Sequence, residues 1–237
     1  LYTAQEEKLQ SLPDTKITIT LPDGATKDGI AMKTTPMDIA ESISAGLAQN
    51  IIISKVFYTS RHDGGGNLAE WEDEDNKPDM NPLDDDEEAA KENEGKELWD
   101  LSRPLVGDCK LEFIKYDPDD PDIKTVFWHS SAHVLGAAIE SLYGAHLTIG
   151  PPLKGGFYYD AYMGNHHLPE DDLKKIEDSA MKVCKAKHKF QRLVLSKEEA
   201  LEMFAANPFK VALITNKIPD GSMTSVYRCG PLIDLCM

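Results

Sequence analysis

Between Lys16 and Tyr58 the spacing of apolar residues changes three times, and few folds accept that succession. KITITL (16–21) alternates apolar and polar residues, the mark of a strand with one buried face. Pro22-Asp23-Gly24 follows as a turn, since proline fixes φ and glycine admits φ > 0. A weaker strand is predicted over Gly29–Lys33. Thr35-Pro36 then opens a helix with a capping residue and proline in its first turn, and Ile39, Ile43 and Leu47 carry its apolar stripe towards Asn50. IIISKVFY (51–58) is a β-branched strand. Strand, turn, strand, helix, strand is the order of a ubiquitin-like β-grasp. Residues 1–15 precede it as a short helical lead-in, with Leu1, Leu9 and Leu12 among charged neighbours.

The strands that complete such a sheet come only after residues 59–97. That segment holds GGG at 64–66 and DDDEE at 84–88, with almost no apolar period. It buries too little to offset the entropy of ordering, so it is predicted to be a disordered acidic insertion. ELWDLSRPL (97–105) and CKLEFIKY (109–116) then resume the pattern, which places the insertion at a hairpin tip, where extra length costs least. Charge has to be read with this segment in view. The formal net charge is -16, yet residues 60–100 alone carry 16 acidic and 4 basic groups. The remainder is close to balanced, and a polyanionic partner is not excluded. Four scattered cysteines without a CxxC argue against a disulfide framework or a zinc ribbon and for a reducing compartment. No apolar run approaches the length of a membrane span.

DPDDPD (117–122) is a proline-stiffened acidic connector, which puts a linker at 117–124 and a second domain at 125–237. The domain begins with TVFWHSSAHVLGAAIESLYG (125–144), a predicted helix stopped by Gly144. Its His129 and His133, four positions apart, share one face, while Val134, Leu135, Ala138, Ile139 and Leu142 form the apolar side. Two imidazoles held in this way can bind a metal or shuttle protons, and an ordinary hydrogen-bonding role stays open. FYYDAY (157–162) reads as a strand, in which Tyr158 and Tyr159 can meet a ligand although aromatics there more often serve the core. Pro169–Arg192 reads as one long helix. Its Lys174, Lys175, Lys182, Lys185, Lys189 and Arg192 fall within about 100° of arc, opposite Leu173, Ile176, Ala180, Val183 and Phe190. Such a stripe suits phosphate contact, but more often it is a helix's wet side. Ser196 and Glu199 make a capping box, and FKVALI (209–214) is strand-like around Lys210. SVYRCGPLIDLCM (225–237) alternates around Arg228 and again around Asp234, with a break at Gly230-Pro231.

LPDG at 21–24, KTTP at 33–36, WDLSRPL at 99–105, WHSSAH at 128–133, then GPP, GFYYD and finally VYRCGPLIDLC at 226–236 carry a resemblance that covers about Lys16 to Cys236. With these pieces the chain resembles the N-terminal half of threonyl-tRNA synthetases, most closely the eukaryotic cytosolic type. The resemblance implies an α+β chain: a β-grasp TGS domain over 16–116, then an α+β editing domain of the type shared with alanyl-tRNA synthetase. It implies an editing pocket built from His129 and His133, from Lys210 after a phenylalanine, and from Asp234 and Cys236 of an Asp-x-Cys. A further histidine of the family's pocket falls past residue 237, so the editing domain is expected to be C-terminally incomplete. The implied activity is hydrolysis of tRNA(Thr) mischarged with serine, in the cytoplasm, with no cofactor in this chain. The aminoacylation core, with its ATP, magnesium, zinc and homodimer contacts, is expected elsewhere in the parent enzyme. Two alternatives stand beside this. His129, His133 and Cys236 suit zinc by ligand type. The chain can also be a non-catalytic tRNA- or protein-binding TGS module with a vestigial pocket.

Overall fold

The computed structural model describes residues 1–63, 95–153, 155–165 and 168–236. Described residues up to Ile123 form one compact unit, and those from Lys124 form a second. The architecture is α+β, with the β-grasp sheet in the first unit.

In that unit, α1 (Tyr2–Ser11) buries none of its residues. Strand β1 (Lys16–Thr20) buries Ile17 and Ile19 and exposes Lys16 and Thr18, as its alternation requires. The turn that follows contains Gly24 at φ 82°, and β2 (Thr26–Ile30) returns antiparallel to β1. The predicted second strand was set too late. The amides of Lys33 and Thr34 close back on the Ile30 carbonyl, and Met32 lies at φ 63°, so the chain has left the sheet by then. Helix α2 (Pro36–Ile43) starts on a full capping box: the Thr35 hydroxyl accepts from the Asp38 amide, and the Asp38 carboxylate accepts from the Thr35 amide. The predicted run to Asn50 breaks at extended Ser44, whose hydroxyl caps a separate α3 (Ala45–Asn50). Ile39 is therefore buried while Ile43 is exposed. Thr35→Ala is expected to lower the stability of this unit by about 1 kcal/mol. Chemical denaturation followed at Trp99 reads it, and an unchanged midpoint would show that the cap contributes nothing.

Strands β3 (Ile51–Tyr58), β4 (Glu97–Trp99) and β5 (Cys109–Lys115) complete a sheet of order β2-β1-β5-β3-β4, in which β1 and β5 run parallel. Ile17, Ile19, Ile39, Val56, Trp99, Leu105 and Leu111 form its core. Residues 64–94 of the predicted insertion lie outside the described residues. Its flanks contradict the boundaries set from composition. The Thr59 and Ser60 amides donate to the Asp108 carbonyl, Arg61 pairs with Asp63 and Glu97, and β4 already begins at Glu97. Asp108 also accepts from the Thr18 amide and the Ser60 hydroxyl, which hold its carboxyl below the ordinary range. Gly107 is required here, since a Cβ would sit 1.9 Å from the Ser60 carbonyl oxygen.

Helix α4 (Pro121–Tyr143) starts inside the predicted linker. The Asp120 carboxylate caps it by accepting from the amides of Asp122 and Ile123, with Pro121 in the first turn. It stops at Gly144, φ 60°. Ala132, Ala137, Ala138 and Ile139 are buried, whereas Leu142, assigned to the apolar side, is exposed. FYYDAY is not one strand. Strand β6 (His146–Leu147) pairs with β9 (Ala161–Tyr162), β7 (Pro152–Leu153) pairs with β8 (Gly156–Phe157), and Asp160 bonds back to Ile149 and Thr148 between them.

The long basic helix is also shorter than predicted. Helix α5 (Glu170–Ala186) ends at Lys187, φ 51°, and Phe190 to Arg192 instead enter β10 (Phe190–Ser196), whose seven residues all pair with β11 (Met223–Cys229). Sheet pairing has overridden the helical period, and Leu173 is 62% exposed rather than core. Helix α6 (Lys197–Met203) carries the Ser196–Glu199 capping box. FKVALI is a helix, not a strand: the Asn207 side chain accepts from the amides of Phe209 and Lys210, and Pro208 opens α7 (Pro208–Lys217). Strand β12 (Leu232–Leu235) turns back on β11 through Gly230, φ 61°. Leu193, Leu195 and Val226 of this sheet pack against Ala200, Phe204, Ile214 and Ile218 of the α6–α7 region. Among the described residues no helix is long and apolar enough to cross a membrane.

Candidate active site

The site lies in the second unit, where α4, the 149–160 loop, α7 and the end of β12 meet. Helical spacing stacks the His129 and His133 rings one turn apart, with centroids 5.1 Å from each other and planes 17° apart. His133 is 5% exposed, and the edge of Phe190 from β10 closes over it at 6.1 Å. From the other side β12 brings Asp234, 3% exposed, with Oδ2 3.2 Å from His133 Nδ1. An ionised carboxylate only accepts, so Nδ1 carries a proton and Nε2 points away from Asp234. Lys210, 4% exposed in the first turn of α7, places Nζ 2.5 Å from Asp234 Oδ1. Just past β12, the Cys236 thiol lies 3.4 Å from His129 Nε2. Its backbone is fixed by hydrogen bonds exchanged with Ser225 of β11.

The structure thus brings all five residues singled out in the sequence, His129, His133, Lys210, Asp234 and Cys236, around one locus. Tyr159 joins them and was left undecided by sequence reading. Its hydroxyl donates to Asp234 Oδ2 and lies 3.5 Å from Lys210 Nζ. Two glycines make room for its ring: a Cβ at Gly150 or Gly136 would sit 2.5 or 2.9 Å from ring carbons. Asn207 was also missed; besides capping α7 it donates to the Leu147 carbonyl and so ties Lys210's helix to β6. Sequence cues for both existed, in GPP…GFYYD and in Asn-Pro, but neither says where a side chain ends.

Electrostatics separates the groups. Burial, reinforced by the neighbouring His133, lowers the His129 pKa to about 4, so this imidazole is neutral at pH 7. Burial alone would raise Asp234, but the charge of Lys210 and the bond from His133 overrule it and hold the carboxyl well below its usual range. Burial and the adjacent Asp234 carboxylate push the Tyr159 hydroxyl far above its ordinary value. The result is a fixed carboxylate surrounded by donors, an ammonium beside it, and two imidazoles with a thiol facing them. Such a set can orient a water or hydroxyl between the two imidazoles and stabilise negative charge with the ammonium. The donor atoms of His129, His133 and Cys236 lie within 4.8 Å of one another, so they could also hold a metal ion.

Comparison with known proteins gives two results. A TGS domain model matches residues 17–63. Over 235 residues the chain is 43% identical to the cytoplasmic threonine–tRNA ligase of Caenorhabditis elegans, covering 99% of this chain and 26% of that protein. It is 43% identical to threonine–tRNA ligase, mitochondrial 1, of Arabidopsis thaliana, covering 98% and 27%. Against the cytoplasmic threonine–tRNA ligase of Saccharomyces cerevisiae it is 38% identical, covering 100% and 29%. The chain spans about a quarter of the length of the relatives it matches.

Proposed function

We propose, on the premise that the chain is a TGS-bearing relative of the eukaryotic threonine–tRNA ligases, that its second unit hydrolyses the ester of tRNA(Thr) mischarged with serine. The observation that supports this is the convergence of His129, His133, Lys210, Asp234 and Cys236 from three separate elements. The need for such a site is physical. Serine lacks one methyl of threonine, and a pocket separates such a pair by only roughly 1–3 kcal/mol, so a second, hydrolytic sieve raises fidelity.

In this reading a water oxygen bonds to the ester carbonyl carbon and gives up a proton, the bond to the terminal ribose oxygen breaks, and that oxygen takes up the proton the water released. His129 and His133 hold the water and the ribose hydroxyl, the neutral His129 ring as an acceptor. Lys210 stabilises the negative charge that develops on the carbonyl oxygen, and Asp234 aims Lys210 and His133. Cys236 lines the pocket. Threonine activation, with its ATP, magnesium, zinc and homodimer contacts, belongs to parts of the parent enzyme outside this chain, and the cytoplasm is its place of action. The test is deacylation of seryl-tRNA(Thr) beside threonyl-tRNA(Thr), with His133→Ala as the disabled comparison. Loss of the seryl ester no faster than spontaneous hydrolysis would remove the activity, and a wild-type rate in His133→Ala would remove that histidine from it.

One observation favours a second reading. Asp234 binds His133 Nδ1 and leaves Nε2 available, which is the carboxylate–histidine pairing that commonly supports a metal ligand. The 3.4 Å between Cys236 Sγ and His129 Nε2 suits two ligands of one tetrahedral zinc. A bound zinc would supply Lewis acidity at this spot. Elemental analysis of protein purified without chelator decides: one equivalent of zinc, lost in a Cys236→Ala variant, supports the metal reading. Absence of metal with intact deacylation overturns it.

A further inference from the structure

A second cleft, of about 410 Å³, opens at the β11–β12 turn and is lined by His188, Lys189, Gln191, Arg228, Gly230 and Pro231. Among the described residues no carboxylate lines it. The chain has 41 acidic and 25 basic residues, so a cation finds an acidic neighbour easily, as Lys174, Lys175, Lys197 and Arg61 do. Lys189 and Arg228 are exposed and have no ion-pair partner among the described residues. The cleft is built rather than incidental. Lys187 at φ 51° turns the chain out of α5 and sets His188 and Lys189 beside β11, where Gln191 pairs with Arg228. Gly230 lets the turn close on the His188 ring, because a Cβ would lie 2.5 Å from it. Arg228 Nε donates to the Gly230 carbonyl at 3.0 Å, which fixes the guanidinium and leaves its two Nη groups unused among the described residues.

We infer that this cleft binds a backbone phosphate of the RNA whose acylated end enters the active site, an inference that rests on the function proposed above. A pre-oriented guanidinium fork beside a lysine matches a phosphate's tetrahedral oxygens and carries no base preference. Continuity with the catalytic pocket favours RNA over a free anion. Phe190, between Lys189 and Gln191, is the residue whose ring closes over His133, so the strand that ends at the cleft also walls the site.

The experiment titrates the whole chain with a fluorescent RNA hairpin bearing a single-stranded 3′ tail, across a range of salt. Lys189→Gln/Arg228→Gln is expected to bind roughly tenfold more weakly and to reduce the slope of log K against log salt by about one, for any tail sequence. The charge-keeping Lys189→Arg/Arg228→Lys variant is expected to keep the wild-type slope. Hydrolysis of 3′-O-seryl-adenosine, which has no phosphate, is expected at the wild-type rate in the Gln variant, while kcat/KM on seryl-tRNA falls about tenfold with its binding. A wild-type Kd and slope in the Gln variant overturn the inference, as does an equal loss in the charge-keeping variant. If wild-type protein hydrolyses neither ester, the hydrolytic function falls, and the hairpin titration still decides the cleft.

Discussion

Asp234→Asn is expected to reduce seryl-ester hydrolysis by roughly 10²–10³-fold and to cost about 3 kcal/mol of stability. The side chain keeps its size, so the loss is one of charge and acceptor count. Asp234 pairs with Lys210 and His133, accepts from the Tyr159 hydroxyl, and is 3% exposed. Asparagine offers one acceptor oxygen and turns an NH₂ towards donors, so at least one of the three loses its partner. The Lys210 ammonium, 4% exposed, then loses the carboxylate 2.5 Å from its Nζ, and with it the counter-charge that aims the group proposed above to stabilise charge in hydrolysis. Two further variants separate stability from catalysis. Lys210→Met should also be inactive, and Lys210→Met/Asp234→Leu should regain stability because no unpaired charge remains, yet stay inactive. Near-wild-type hydrolysis by Asp234→Asn would mean that this carboxylate does not organise the reaction.

That network shows where the sequence was informative and where it was not. The histidine pair was legible because a helix's period is local, and four residues fix a shared face. β1, β3 and the Thr35 helix start were legible for the same reason, each being set by neighbours within a few positions. Lys210 was placed in the wrong element, since FKVALI has the composition of a strand and only the Asn207-Pro208 cap shows that a helix starts there. Phe190 to Arg192 failed in the opposite sense: their helical period was outweighed by pairing with Tyr227 to Cys229, nearly forty positions away. Tyr159 was illegible as a site residue because its role depends on Gly136 and Gly150, which clear space for its ring from two other segments. Partners distant in sequence leave little trace in local pattern, and the insertion flanks, held by Asp108, fall under the same rule.

A fall in stability of roughly 2–3 kcal/mol between pH 6.5 and pH 4 is expected from His129 alone. The sign follows from its environment. Burial and the neighbouring His133 bring the folded pKa down to about 4, while the unfolded chain titrates near 6.5. Between those values the unfolded state binds the proton and the folded state does not, so acid favours unfolding. The contribution is intact above 6.5, falls through the window, and is flat below about 4. Asp234 acts in a lower window, because its folded pKa is depressed: its stabilisation is present above about 3.9 and disappears as pH falls further towards the folded value. Urea midpoints for wild type and His129→Gln from pH 8 to pH 3, with chelator present, isolate the histidine, since every other titrating group is shared. Wild type should lose stability faster than the variant only above pH 4, and parallel curves through that window would refute the buried neutral imidazole. Catalysis should carry the same mark. If His129 must be neutral to hold the water, the acid limb of kcat/KM should fall near pH 4–5 rather than at the 6.5 of a solvated histidine. A limb at 6.5 would instead assign the controlling proton to another group.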